Sequence, residues 1–305
     1  MAEFDVIRQI LDVLGVHSTG EHVRLGPGDD GAITRGKLRQ DTVSSIDTLV
    51  ADVHFPRRAD AALVGYRAMQ VSASDLAAMG ASPGYALVAL TLPDNDTRWA
   101  RRCAHGIADA AAQLELPVVG GNLARGEYSI SVSVHGLVPL GSGLLRSGGK
   151  DGDALYVTGS LGAASAALKL GELERCVYGK PMDALQTHYF APQARIGAGI
   201  ALRGVASAAI DVSDGLLQDI GHLCTASNLG VRLYSDAIPS HPDAGLQEAL
   251  VGGDDYELVF ATAKTVPELG VPVARIGELT SHQRMLLDGR PVAAEGFDHF
   301  RDAHR

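Results

Sequence analysis

Between Pro139 and Gly152 the chain is rich in Gly and Ser and poor in apolar residues, while strand and helix patterns alternate on either side. That interruption divides the 305 residues into two mixed α/β (α+β) parts, in keeping with roughly 150 residues per domain. The predicted domains are 1–140 and 150–305. In the first, Val43 to Asp47 predicts a strand. Asp60 to Met79 predicts a helix with Leu63, Tyr66, Ala73 and Leu76 inward and Gly80 as its stop. Tyr85 to Leu92 reads as a buried strand, Asp96 or Thr97 as the cap of a helix to Leu114, and Ser129 to Val138 as an alternating strand. In the second, Ala154 to Thr158, Ala209 to Val212, Tyr256 to Thr262 and Val273 to Ile276 predict strands. Gly162 to Gly171 and Leu216 to Ser227 predict helices. Phe4, Ile7, Leu11 and Leu14 mark an amphipathic stripe at the start.

Several function classes are disfavoured. The longest apolar run, Tyr85 to Leu90, is far short of the ~20 residues of a membrane span, so no membrane role is expected. Glu3 and Asp5 stand where a secretory signal carries basic residues. Cys103, Cys176 and Cys224 are far apart and in no paired motif, which suits a reducing cytoplasm better than a disulfide framework. The net charge of −10 argues against a nucleic-acid partner, because duplex binding rests on clustered Lys and Arg.

The aspartates carry the chemistry. They fall at glycine turns, at strand ends and on one helix: Gly28-Asp29-Asp30-Gly31, Ser45-Ile46-Asp47-Thr48, Ser74-Asp75 on the helix, Asp211-Val212-Ser213-Asp214-Gly215, and Gly252-Gly253-Asp254-Asp255. Such positions converge more readily than acids scattered over helix surfaces. A strand period of two puts Ser45 and Asp47 on one side, as it does Asp211 and Ser213. Oxygen donors without His or Cys suit magnesium, which keeps few carboxylates and completes its shell with water and phosphates. Singly, each acid is equally a turn former or cap, and Asp214 before a helix reads as an ordinary N-cap. Collectively they favour a metal that bridges an acidic protein to an acidic ligand.

Three motif matches fail on context. Gly26-Pro27-Gly28-Asp29-Asp30-Gly31 fits G-x-G-x-x-G, but carboxylates replace the amides a pyrophosphate needs, and no strong strand precedes it. Gly31 to Lys37 fits most of a P-loop, except that Leu38 replaces the metal-holding hydroxyl. Ser147 to Lys150 spells S-x-x-K in a glycine-rich loop rather than on a helix.

Taken in order, Gly26-Pro27-Gly28-Asp29-Asp30, Ser45 to Val50, His54-Phe55, Ser74 to Ala81, Arg146-Ser147-Gly148, Ile210 to Leu216, Gly252 to Leu258 and Gly296-Phe297-Asp298-His299-Phe300 resemble the thiamine-monophosphate kinase family along essentially the whole chain. The resemblance implies a two-domain aminoimidazole ribonucleotide synthetase-like fold. It also implies a homodimer through the N-terminal sheets, and phosphorylation of thiamine monophosphate to thiamine diphosphate by ATP with Mg2+. It assigns Asp30, Ser45, Asp47, Asp75, Asp211 and Asp214 to metal. Gly121, Arg146 and Ser213 fall to ATP, and His54, Asp254 and Phe297 to the thiamine phosphate. The acceptor phosphate is already ionised near neutral pH, its second pKa being ~6, so no general base is required. Aligning and neutralising two anions is the main task.

The chain departs from the family at three points. Gly120-Gly121-Asn122 carries Asn where the motif normally continues with Asp, although the amide oxygen of Asn122 still suits metal and ATP. Ile46 replaces a usual Thr, and Ser72 a usual Asn. These changes either weaken one metal site or mark a paralogue that binds ATP but is inactive or acts on another phosphorylated small molecule. Related synthetases and maturation proteins are disfavoured because the first cysteine is Cys103 within a helix and the chain ends Ala303-His304-Arg305.

Overall fold

Residues 3–25, 33–34, 36, 38–94 and 96–297 are described by the computed structural model. Helix α1 (Glu3–Leu14) leads to a two-stranded ladder, β1 (Val23–Leu25) with β2 (Ile33–Thr34). A four-stranded sheet follows, made of β3 (Gln40–Val50), β4 (Ser82–Leu92), β5 (Val118–Arg125) and β6 (Ser129–Pro139) in the order β3-β6-β4-β5. Only β4 and β5 pair in parallel, across helix α3 (Thr97–Leu114). Alternation in β6 explains its two faces. Ile130, Val132, Val134 and Val138 are buried beneath α3 and helix α2 (Ala61–Ala78), whereas Ser131, Ser133 and His135 point the other way. On that second face Ile46 is 65% exposed.

Helix α2 is buried along almost its whole length and touches both β3 and β8 (Ala208–Asp211). Asp60 caps it, accepting the amide of Ala62 at 3.0 Å, and Asp96 caps α3 through Trp99 at 3.0 Å. The two helices cross on small residues. A Cβ added at Gly106 would stand 1.8 Å from the carbonyl oxygen of Ala62, and one at Gly65 2.3 Å from that of Cys103. Gly106→Ala is therefore expected to destabilise the fold by about 2–3 kcal/mol through overpacking. Urea unfolding would measure this, and an unchanged midpoint would contradict the close crossing.

The second half builds a seven-stranded sheet from β7 (Ala154–Thr158), β8, β9 (Gly230–Leu233), β10 (Leu258–Thr262), β11 (Val273–Thr280), β12 (Met285–Leu287) and β13 (Arg290–Pro291). Its order is β13-β12-β9-β11-β7-β10-β8, so β8 is an edge strand. Helices α4 (Ala163–Leu170), α5 (Ala184–Phe190), α6 (Ile196–Ala201), α7 (Leu216–Ser227) and α8 (Leu246–Val251) complete the chain. Helices α4 and α5 share a core with α2, α3 and the first sheet, so apolar packing runs across the Gly- and Ser-rich stretch. A second core lies between the larger sheet and α7 with α8, and a third joins α6 to the end of α2.

The structure revises several boundaries. Ser45 to Asp47 lie inside β3 rather than at its end, and Gly120 to Asn122 lie inside β5, a strand the sequence pattern does not predict. Strand β10 begins at Leu258 because Tyr256, at φ 52, is left-handed and breaks the extended run.

Candidate active site

The site lies where α2 passes between β3 and β8, and three aspartates from three elements meet there. Asp47 comes from the covered face of β3, Asp75 from α2, and Asp211 from the last position of β8. Ser45 Oγ donates to Asp75 Oδ2, and Ser74 Oγ donates to Asp211 Oδ2 at 2.7 Å. Neighbours at positions 74 and 75 of one helix thus reach toward different sheets.

Electrostatics mark this as a strained gathering of like charges. Burial pushes Asp47 up to about 6, with repulsion from Asp75 adding to it. The Ser72 hydroxyl, buried and without a well-formed hydrogen bond, acts weakly in the opposite sense. Asp211 is raised to about 7 by burial first, then by Asp75 and Asp47, against the Ser74 hydrogen bond. Among the described residues no Lys or Arg pairs with Asp47, Asp75 or Asp211. Buried carboxylates held together without a cation are expensive. Their oxygen-only donor set fits a hard divalent ion.

The loop after β8 brings Ser213 and Asp214 beside this group. Asp214 is not the N-cap of α7; Gly215 holds that position at φ 131. The capping work is done by Asp219, one turn into the helix, whose Oδ2 accepts the amides of Ser213, Asp214 and Gly215 at 3.0, 3.1 and 3.1 Å. With those three amides engaged, Ser213 has its hydroxyl to offer a phosphate. Asp219 is raised to about 8 by burial, then by Asp211 and Asp214. One ligand atom each from Asp214, Asp219 and His222 lie within 4.8 Å of one another. Phe297 joins the same corner, its amide donating to the Asp214 carbonyl at 2.9 Å and its own carbonyl accepting from Gln218.

His54 stands just after β3 and Asp254 in the loop before β10, where its amide donates to the Ser213 carbonyl at 2.8 Å. The Val50 amide donates to His54 Nδ1 at 3.0 Å, which leaves the ring proton on Nε2. Asp254 Oδ1 accepts from Arg67 Nη2 at 2.6 Å and from Tyr256 Oη at 2.8 Å.

Gly121 and Asn122 are not brought to this group within one chain. Asn122 and Gly121 are exposed on β5, separated from β3 by two intervening strands, about 14 Å at ordinary strand spacing. Register also pairs Asn122 with Ala89, while neighbouring Leu123 packs into the covered core, so Asn122 belongs to the face opposite Asp47. Arg146 is exposed near the start of β8: its carbonyl accepts from Ser227 Oγ, and the carbonyl of neighbouring Leu145 accepts the Ala209 amide at 2.8 Å, two residues before Asp211. Ile46 shares the open sheet face, so its lost hydroxyl does not touch the three acids. Asp30 and the rest of Gly26 to Gly31, like Asp298 to Phe300, lie outside the described residues.

Sequence reasoning missed Arg67, Tyr256 and Asp219. The available signal for Arg67 was a cation in an otherwise small and apolar helix, eight residues before Asp75.

Fold and site together define a protein of the AIR synthase related class. The family model for its N-terminal domain matches residues 28–138 and that for its C-terminal domain matches 150–287. Thiamine-monophosphate kinase of Escherichia coli strain K12 is 40% identical, with 98% of each chain covered. The crystal structure of thiamine-monophosphate kinase from Stenotrophomonas maltophilia K279a matches at TM-score 0.85 and 33% identity, covering 96% of this chain and 98% of that one. AaThiL complexed with AMPPCP and TMP matches at TM-score 0.80 and 28% identity, over 98% and 97%. The chain belongs to the thiamine-monophosphate kinase family.

Proposed function

We propose that this chain phosphorylates thiamine monophosphate to thiamine diphosphate, moving the terminal phosphoryl group of ATP directly onto the acceptor phosphate. The convergence of Asp47, Asp75 and Asp211 without a balancing cation carries this reading, and its family membership agrees with it. Asp47, Asp75, Asp211 and Ser45, with Asp214 and Asp30, would hold Mg2+, which when bound supplies positive charge between two phosphates that otherwise repel. Ser213 and Arg146 contact the nucleotide. His54 presents Nε2–H to the acceptor, Asp254 accepts from it, and Phe297 covers it. The acceptor phosphate is its own nucleophile, so positioning rather than proton removal is the chain's task.

Residues 1–140 form the nucleotide, metal and dimerisation domain, and 150–305 complete the site. Gly121 and Asn122 enter it from a second copy, laid against the open face of the four-stranded sheet that carries Ile46 and Asn122. Light scattering should then give twice the chain mass at assay concentrations, whereas an active monomer would remove the partner's role. Among the described residues no helix is long and apolar enough to cross a membrane. A cytoplasmic location is part of the same proposal, supported by three free, buried cysteines that suit a reducing compartment.

The direct test incubates purified protein with ATP, MgCl2 and thiamine monophosphate and follows thiamine diphosphate and ADP by chromatography. Folded protein that forms neither product at any magnesium concentration overturns the reading.

A further inference from the structure

Arg67 is 1% exposed and makes contacts in two directions. Nη2 meets Asp254 Oδ1 at 2.6 Å, and Nη1 donates to the backbone carbonyl of Tyr189. The guanidinium lies 4.2 Å from the centroid of the Tyr189 ring and 5.7 Å from that of Tyr256. Burial alone would weaken its charge, but Asp254 and the two tyrosines more than offset that, and the side chain stays cationic. Tyr189 in turn donates its hydroxyl to the carbonyl of His54 at 2.8 Å. One buried side chain of α2 therefore connects to His54 through α5, and directly to Asp254 in the loop before β10.

That loop is held from behind as well. Asp254 (φ 72) and Tyr256 (φ 52) are both left-handed without being glycine, a strain that persists only where the surroundings over-determine it. The amide of Asp254 donates to the Ser213 carbonyl and that of Tyr256 to the Val212 carbonyl, each at 2.8 Å. Tyr256 Oη and Arg67 Nη2 converge on the same oxygen, Oδ1, and among the described residues Oδ2 has no donor. A carboxylate locked by one oxygen presents the other in a fixed direction, which suits the N–H groups of an amino-substituted ring.

We propose that Arg67, with Tyr256, is the positioning element of the acceptor site, holding Asp254 and His54 at one fixed separation so that the thiamine phosphate is recognised. This rests on the reading of His54 and Asp254 as acceptor contacts. It differs from a purely structural role in affecting one substrate and sparing the other.

Tyr256→Phe removes a hydroxyl and leaves the ring, so the fold is preserved. Arg67→Lys keeps the charge but loses the fork and the stack. In the full-length enzyme Tyr256→Phe is expected to raise KM for thiamine monophosphate about tenfold, with a larger rise for Arg67→Lys and KM for ATP unmoved in both. Hydrogen exchange at the Asp254 and Tyr256 amides should quicken in both variants. Equal changes in the two KM values, or none, overturn the proposal. If the wild-type enzyme makes no thiamine diphosphate, the functional reading fails, and the exchange measurement still decides whether Arg67 and Tyr256 position the loop. Unchanged exchange refutes them.

Discussion

Asp75→Asn should lower kcat/KM by about 10³, equivalent to roughly 4 kcal/mol of transition-state stabilisation, while leaving the protein folded. Asp75 is central to the cluster: it takes the hydroxyl of Ser45 and raises both Asp47 and Asp211. An isosteric amide keeps the packing of α2 and removes the charge that a divalent ion needs. The same change relieves repulsion among the remaining acids, so the variant should melt no lower than wild type in chelator, and higher if the relief dominates. This opposition between activity and stability is expected where acids are gathered for function. Near-normal turnover by a folded Asp75→Asn enzyme would dismiss the cluster as the metal centre.

The second large effect is on pH and metal. Asp47, Asp211 and Asp219 are raised from a usual 3.8 to about 6, about 7 and about 8, each chiefly by burial. Above their ordinary value the unfolded chain has released these protons while the folded chain still holds them. Stability contributed by the protonated forms is therefore complete below about pH 4 and is lost as pH rises through 6 to 8. Each group adds to the loss in proportion to how far burial has raised it. In chelator the melting temperature should thus fall between pH 5 and pH 8. Protons and metal compete for the same oxygens, so added Mg2+ should raise the melting temperature more at pH 8 than at pH 5. A flat profile in chelator, or a magnesium effect indifferent to pH, would show that these carboxylates neither repel nor bind as argued.

Much of this site was legible as residue types at element ends. Ser45 and Asp47 were placed on one face by the strand period, and Ser74 and Asp75 were placed on a helix. What the sequence could not convey was how partners reach across space. Asp214 read as an N-cap because it precedes a helix, yet Asp219 satisfies those amides from inside α7, a contact that spacing alone does not reveal. Gly120 and Gly121 fell in no predicted strand, yet pairing with β4 overrides their weak strand preference. Arg67 had no motif to announce it, because its meaning comes from Tyr189 and Asp254, 122 and 187 residues further along.

Helix α2 has one last consequence. It is wedged against β3 on one side and β8 on the other, and it supplies Asp75, Ser74 and Arg67 to neighbours from both. The two sheets cannot swing open like a clamshell without stripping this helix from one of them and exposing its apolar surface. Ligand entry and product departure are therefore expected to fall to loops and side chains around this frame rather than to a hinge between the sheets.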